Sequence, residues 1–404
     1  MSDFSQCWVL EELEARREEL FLARQKRLRE VMARADMPAL VILDPNNVKY
    51  ATGASNMQLF AQRTPARYLL VVQDGPAVLY EYFGCEHLAK SLPTLDDVRA
   101  AEGLCKISSG SDPRAAAERF AKEISSVIRD HDPAIARIGI DRFPVYAIDA
   151  LRREGFELLD ADEALVPARA IKLPIEIPYI REAMRRVESG VRRLEESIMP
   201  CRTEAEVWAE LHFEIMAKQG QYISTRLFQS GPNTFPYFKE CGDRLLESGD
   251  MICLDTDALG YEGYAVDFSR SFLCGDGKAT DEQRKLYGRA REQLETNAAL
   301  LKPGVEYRDI AEHAWSVPEE HRASRYYCIG HGLGMAGEFP NIPHYQGNVG
   351  YPLSGTVEAG MIICIESYVG SENSGQGVKL EDQFLIHDDH VECMSRYAFD
   401  ARLS

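Results

Sequence analysis

Five acidic residues in the second half of the chain lie inside runs that otherwise read as buried strands. In LDTDALGYEGYAVDFSRSF, Leu254 to Phe272, the aspartates Asp255, Asp257 and Asp267 interrupt a stretch of Leu, Tyr, Ala, Val and Phe. Glu366 and Glu381 do the same in GMIICIESYVG and GVKLEDQFLI. An ionised carboxylate in an apolar interior carries a heavy desolvation cost, and several together repel one another. A chain of this kind must fold so that the group is offset by positive charge, and a divalent ion removes both objections at once.

Residues at i and i+2 of a strand project from one face, so Asp255 and Asp257 are expected to point into one site. The Gly-Tyr-rich turn LGYEGY is expected to return the chain as a hairpin and set Asp267 opposite them. Further on, YYCIGHGLGMAGEFP places His331 between two glycines, which let the backbone approach closely and free the imidazole to project. For D-x-D alone, turn capping or solvation is the commoner explanation, and a lone histidine is more often structural. Together with Glu366 and Glu381 the balance shifts. Asp255, Asp257, Asp267, His331, Glu366 and Glu381 form an oxygen-rich, single-imidazole set suited to two neighbouring Mn, Fe, Co or Zn ions, not to a Cys-rich structural zinc.

At 404 residues the chain exceeds what one hydrophobic core usually serves, so two domains are expected. The first part opens with the helical pattern LEARREELFLARQKRLREVMARADM. It continues with strand-like runs at ALVILD, ARYLLVV, GPAVLYEY and ARIGIDR and the helical RAAAERFAKEISSVIRD, an α/β arrangement. Pro167, Pro174 and Pro178 interrupt both periodicities, which places a boundary at Ile171 and predicts domains over 1–170 and 171–404. Two helices then follow, IREAMRRVESGVRRLEESIM and TEAEVWAELHFEIMAKQG, the second capped by Thr203 with Glu206 three residues on. Beyond Gly220, short apolar runs with Gly and Pro, broken by one helical stretch from Asp281 to Leu301, predict a curved antiparallel sheet with helices on one side.

A formal net charge of −18 gives a field that repels phosphate backbones and anionic membranes, so no nucleic-acid partner is expected. Ten cysteines without a C-x-x-C pair predict neither a zinc knuckle nor a disulfide framework, and most are expected reduced and buried. The acidic N-terminus lacks the basic start of a signal peptide, and no run approaches the roughly 18 apolar residues of a membrane span. The expected location is the cytoplasm.

Over almost its whole length the sequence resembles the pita-bread superfamily of aminopeptidase P, prolidase, methionine aminopeptidase and creatinase. A creatinase-like segment ends near AIKLPIEI, and SGPN, VDFSRSF, GHGLG, VEAGMIICIES and KLEDQFLI follow in the superfamily's order. The resemblance implies an α/β creatinase-like N-terminal domain and an α+β pita-bread catalytic domain. It implies a two-metal site with Asp267 and Glu381 bridging, Asp255 or Asp257 on one metal, and His331 and Glu366 on the other. It also implies a homodimer.

Hydrolases of the superfamily usually separate the two aspartates by eleven positions, whereas Asp255 and Asp257 lie twelve and ten before Asp267. They usually carry a histidine after the SGPN-like motif and another after GHG; here Tyr237 and Phe238 occupy the first neighbourhood, Gly337 and Glu338 the second. Without them, the partners for a developing oxyanion are missing. The D-x-D spacing, PYFKECG and TGASNMQLFAQRTPARYLLV look instead like the dimethylsulfoniopropionate lyase branch, whose members bind two metals, commonly iron, and cleave a carbon–sulfur bond by β-elimination. That likeness implies that the metals hold the substrate carboxylate, that a carboxylate base removes the neighbouring proton, and that dimethyl sulfide leaves acrylate. Tyr237, Phe238, Tyr326 and Phe60 are candidates for a cation–π wall around the sulfonium, with Tyr326 also placed among the catalytic residues. Core packing is the plain alternative for each. The branch places an aspartate base six positions after the metal histidine, where this chain has Gly337, and the adjacent Glu338 is the candidate base. A metal-dependent Xaa-Pro dipeptidase or creatinase-like hydrolase is the alternative, and a metal-free binding protein the third.

Overall fold

The structure, a computed structural model, describes residues 4–65, 67–345, 347 and 351–404, with side chains from residue 10 onward among them. The first three residues of the acidic N-terminus lie outside the described residues. The chain divides into two compact units, one through Arg169 and one from Ala170 to Ser404.

In the N-terminal unit the apolar runs pair into a six-stranded mixed sheet. Its spatial order is Asp97–Ala100, Ala77–Glu81, Tyr68–Val72, Ala39–Ile42, Arg137–Ile140, Glu157–Asp160. The ALVI, YLLVV and AVLYE strands are buried at every position, which is why they read as continuous apolar runs and not as alternation. The helix Pro113–His131, opened by an Asp112 side chain that accepts from the Ala115 amide, turns Ala117, Phe120, Ala121, Ile124 and Ile128 into this unit's core. Two predictions need correction. The opening helical pattern is broken at Arg16 into Phe4–Ala15 and Arg17–Arg34. Pro167 lies inside the helix Asp162–Ala170 and Pro178 in the first turn of Ile177–Glu196, where a missing amide proton costs nothing.

The second unit begins with the helices Ile177–Glu196 and Glu204–Ala217. Thr203 and Glu206 close the predicted capping box at the start of the latter, with bonds of 3.1 and 2.8 Å. Beyond them lies an antiparallel sheet in the order Gly337–Pro343, Cys328–Leu333, Ile362–Ser371, Gln376–Ile386, Ser269–Leu273, Met251–Asp255, Phe228–Ser230, with Val391–Cys393 also on Gln376–Ile386. The helix Asp281–Ala298 packs Leu286, Tyr287, Ala290 and Leu294 against Ile363, Ile365, Val369, Val378 and Leu380. Because side chains alternate along a strand, the intervening Cys364, Glu366, Lys379 and Glu381 face the other side of the sheet. Short helices at Tyr307–His313 and Glu319–Arg322 add to the single predicted helical stretch.

Nine described cysteines are unpaired, five of them buried. No helix among the described residues is long and apolar enough to cross a membrane.

Candidate metal centre

Cross-strand register assembles the polar group. Ser269 stands opposite both Asp255 and Glu381, Glu366 opposite Glu381, and His331 opposite Cys364. Directly paired residues share a face and nearly touch, so five strands deliver their polar side chains to one place. Two sets of donor atoms each lie within 4.8 Å: Asp255, Asp267 and Glu381, and His331, Cys364 and Glu381. Glu381 belongs to both. The His331 Nε2 is 3.3 Å from Glu366 Oε1, 3.7 Å from Glu381 Oε1 and 3.8 Å from Asp267 Oδ2. Its Nδ1 lies 3.0 Å from the Gly332 carbonyl and can only donate there, which leaves Nε2 facing the carboxylates.

The glycines around His331 are required by strand approach. A Cβ at Gly330 would meet the Cys364 carbonyl oxygen at 2.4 Å, and one at Gly332 the Phe339 carbonyl oxygen at 2.2 Å. The GHG triplet therefore seats the histidine by admitting two neighbouring backbones.

The D-x-D geometry differs from the strand prediction. The strand ends at Asp255, and Asp257 sits beyond it with a φ of 39°, so the two do not share a strand face. Asp257 accepts from the Thr225 hydroxyl at 2.6 Å, and its amide reaches Asp267 Oδ1 at 3.4 Å. Its carboxylate is in neither donor set. The hairpin does form: Ala258–Leu259 pairs with Ala265–Val266 across the Tyr261–Gly263 turn.

Two members of the group were missed in the sequence. Lys379 is fully buried, with its Nζ 2.6 Å from Glu366, 2.9 Å from Glu381, 2.7 Å from Ser269 Oγ and 3.5 Å from Asp255. Cys364 is the other. Both stand two residues before a recognised acid on its strand, so strict alternation through K-L-E and C-I-E was the available signal.

The electrostatics test whether a metal fits. Five carboxylates, Asp255, Asp257, Asp267, Glu366 and Glu381, face one lysine and one histidine. Burial, and then the charge of Glu381 on Asp267 and of Glu366 on Glu381, pushes both acids well above the ordinary carboxylate range. Burial and the charge of Asp255 push Asp257 up to about 6. His331, against a burial that opposes its charge, is raised to about 9 by the hydrogen bond and charge of Glu366. Glu381 Oε1 is buried with no hydrogen-bond partner among the described residues. Excess negative charge and an acceptor left open are what a divalent ion relieves, and the donors fit one.

Beside this cluster lies an aromatic group. The Tyr237 hydroxyl donates to Asp255 Oδ2 at 2.7 Å, and its ring centroid is 4.7 Å from that of Phe238 and 5.7 Å from that of Tyr326. The Lys379 ammonium lies 4.8 Å from the Tyr326 centroid. Burial and the charge of Glu366 hold the Tyr326 phenol protonated. Glu338 is placed differently from the expectation of a base: its carboxylate takes Lys172 Nζ at 3.1 Å and the Met335 amide at 3.0 Å, a buried ion pair that fastens the turn after His331. Phe60 belongs to the N-terminal unit, where its ring meets Tyr82 edge-on at 5.6 Å. Its membership of the wall rests on the sequence resemblance.

Comparisons with known proteins agree with this architecture. Residues 178–388 match metallopeptidase family M24, and residues 24–171 match the Creatinase/Prolidase N-terminal domain. The chain is 34% identical to the dimethylsulfoniopropionate lyase DddP of Roseovarius nubinhibens, covering 94% of this chain and 86% of the relative. Its identity to the lyase of the same name from Roseobacter denitrificans is 33%, with the same coverage. Among solved structures, the prolidase of Pyrococcus horikoshii superposes with a TM-score of 0.74 at 21% identity, over 94% of this chain and 99% of that one. The Xaa-Pro dipeptidase of Bacillus anthracis gives 0.76 at 18% over the same shares. The chain belongs to the pita-bread superfamily, as a member of metallopeptidase family M24 in the branch that contains the DddP lyases.

Proposed function

We propose that the chain is a binuclear metal-dependent lyase that acts on a small carboxylate-bearing zwitterion, dimethylsulfoniopropionate or a close relative. The observation that carries this reading is the aromatic group of Tyr237, Phe238 and Tyr326, already presenting a ring to the Lys379 cation and tied to the carboxylate cluster by the Tyr237–Asp255 bond. Likeness in sequence to the lyases over nearly the full chain supports it.

In this reading Asp267 and Glu381 would be shared between two ions, with His331 and Glu366 serving one and Asp255 or Asp257 the other. Iron is the first choice, and Mn, Zn or Co suit the same donors. Ions held there would supply Lewis acidity to the substrate carboxylate, which would acidify the adjacent carbon-bound proton. The rings of Tyr237, Phe238 and Tyr326 receive the sulfonium. A side-chain carboxylate takes the proton, the electrons of the broken C–H bond form the C=C bond, and the C–S pair leaves on dimethyl sulfide, with acrylate remaining. We place the enzyme in the cytoplasm as a homodimer.

The test is to assay metal-loaded protein for dimethyl sulfide and acrylate beside proline release from Xaa-Pro dipeptides. Equal yields of dimethyl sulfide and acrylate without proline are expected; proline without acrylate makes the protein a dipeptidase, and protein that takes up no metal makes it a binding module. Glu338→Gln tests the candidate base, since loss of the base stops turnover while metal content is kept. A Cβ at Gly337 meets nothing within 4 Å, so Gly337→Asp is accommodated. If that variant gains a lyase activity the parent lacks, the natural substrate is a different zwitterion.

A further inference from the structure

The strand Ile362–Ser371 sets Cys364 two residues before Glu366 and directly opposite His331 on the neighbouring strand. Its Sγ, a ring nitrogen of His331 and an oxygen of Glu381 lie within 4.8 Å of one another. The thiol is fully buried and donates weakly to the Asp267 carbonyl oxygen at 3.5 Å. Glu381 supplies an independent sign of a ligand. Its Oε2 is held by Lys379 and Ser269 at 2.9 Å each, whereas Oε1, 3.7 Å from His331 Nε2, has no hydrogen bond among the described residues. An acceptor buried in this way is costly unless something meets it.

We propose that Cys364 is a direct ligand, as its thiolate, of the ion held by His331, Glu366 and Glu381; the proposal rests on the binuclear reading above. The sulfur lone pair forms the bond to the ion, the S–H proton passes to solvent, and nothing is oxidised or reduced. Bonds of about 2.0–2.3 Å place neighbouring ligand atoms about 3.5 Å apart, a spacing that the 3.7 Å between His331 Nε2 and Glu381 Oε1 already approaches. The two positions then differ in kind. Asp255 and Asp267 offer only oxygen to one ion, while the other is met by nitrogen and sulfur as well and favours softer ions such as zinc, cobalt or ferrous iron.

Cobalt(II) titrated into the metal-free full-length protein tests this. A strong near-ultraviolet sulfur-to-cobalt charge-transfer band is expected with the wild type. It should persist in Cys253→Ser, whose buried thiol meets Ser271 and Gly377, and vanish in Cys364→Ser while the weaker visible cobalt bands remain. Cobalt bound without the charge-transfer band, or a band that survives Cys364→Ser, overturns the assignment of Cys364 and leaves the binuclear reading standing. Failure to bind cobalt at all overturns both. Should Cys364→Ser and Cys364→Ala fail to fold, X-ray absorption of zinc-loaded wild type decides: a sulfur neighbour at about 2.3 Å is expected, and nitrogen and oxygen alone overturn the proposal.

Discussion

Lys379 controls the charge of the ligand face. It is the ammonium shared by Asp255, Glu366 and Glu381, and against the cost of its burial those acids hold it well above the ordinary lysine range. Removing one partner of a buried ion group strands the others. Lys379→Met is therefore expected to destabilise the metal-free protein by about 3–5 kcal/mol in urea unfolding, and saturating divalent metal should restore most of the loss. An equal loss with and without metal would assign the effect to packing. His344 makes a separate prediction. Burial, and then the charge of Arg325, lowers it to about 4 from an ordinary 6.5. The unfolded chain thus binds a proton that the folded one refuses between those values, so stability from this group is present above pH 6.5 and lost as pH falls through 4. Thermal melts of His344→Phe should lose less on going from pH 7 to 5 than those of the wild type.

At the scale of elements, the site depends on how closely strands approach. Gly332→Ala drives a methyl group against the Phe339 carbonyl, and the expected result is a loss of about 1–3 kcal/mol together with lower metal content, measured by melting and elemental analysis. Unchanged metal content would mean that His331 does not need that approach. The long strands and helices were legible because each carries its own periodicity, and Thr203 with Glu206 announced a cap that formed. The break at Arg16 and the helical placement of Pro167 were not, since neither leaves a periodic trace. Asp257 was misread because alternation was carried past the end of its strand, into a left-handed turn. Lys379 and Cys364 were overlooked although alternation sets each on the face of the acid two residues on; that His331 stands opposite Cys364 is a fact of register, and no spacing along the chain encodes it.

For the whole molecule, the division at Arg169 leaves every residue of the candidate metal centre in the second unit. A ligand stabilises only the unit that binds it, so metal at a hundredfold excess over its Kd should add about 2.7 kcal/mol to that unit. Calorimetry is expected to show one transition moving with metal while the other stays. A single transition that moves as a whole would show that the units unfold together. The sheet of that second unit has a further consequence. Ile363 and Ile365 face its core while Cys364 and Glu366 face the carboxylates, as Val378 and Leu380 do against Lys379 and Glu381. Heredity reaches these two faces through one reading frame. Loss or gain of a single codon in either strand would send the ligands into the oil and the isoleucines to the ions, so such a lineage inherits core and chemistry together or neither.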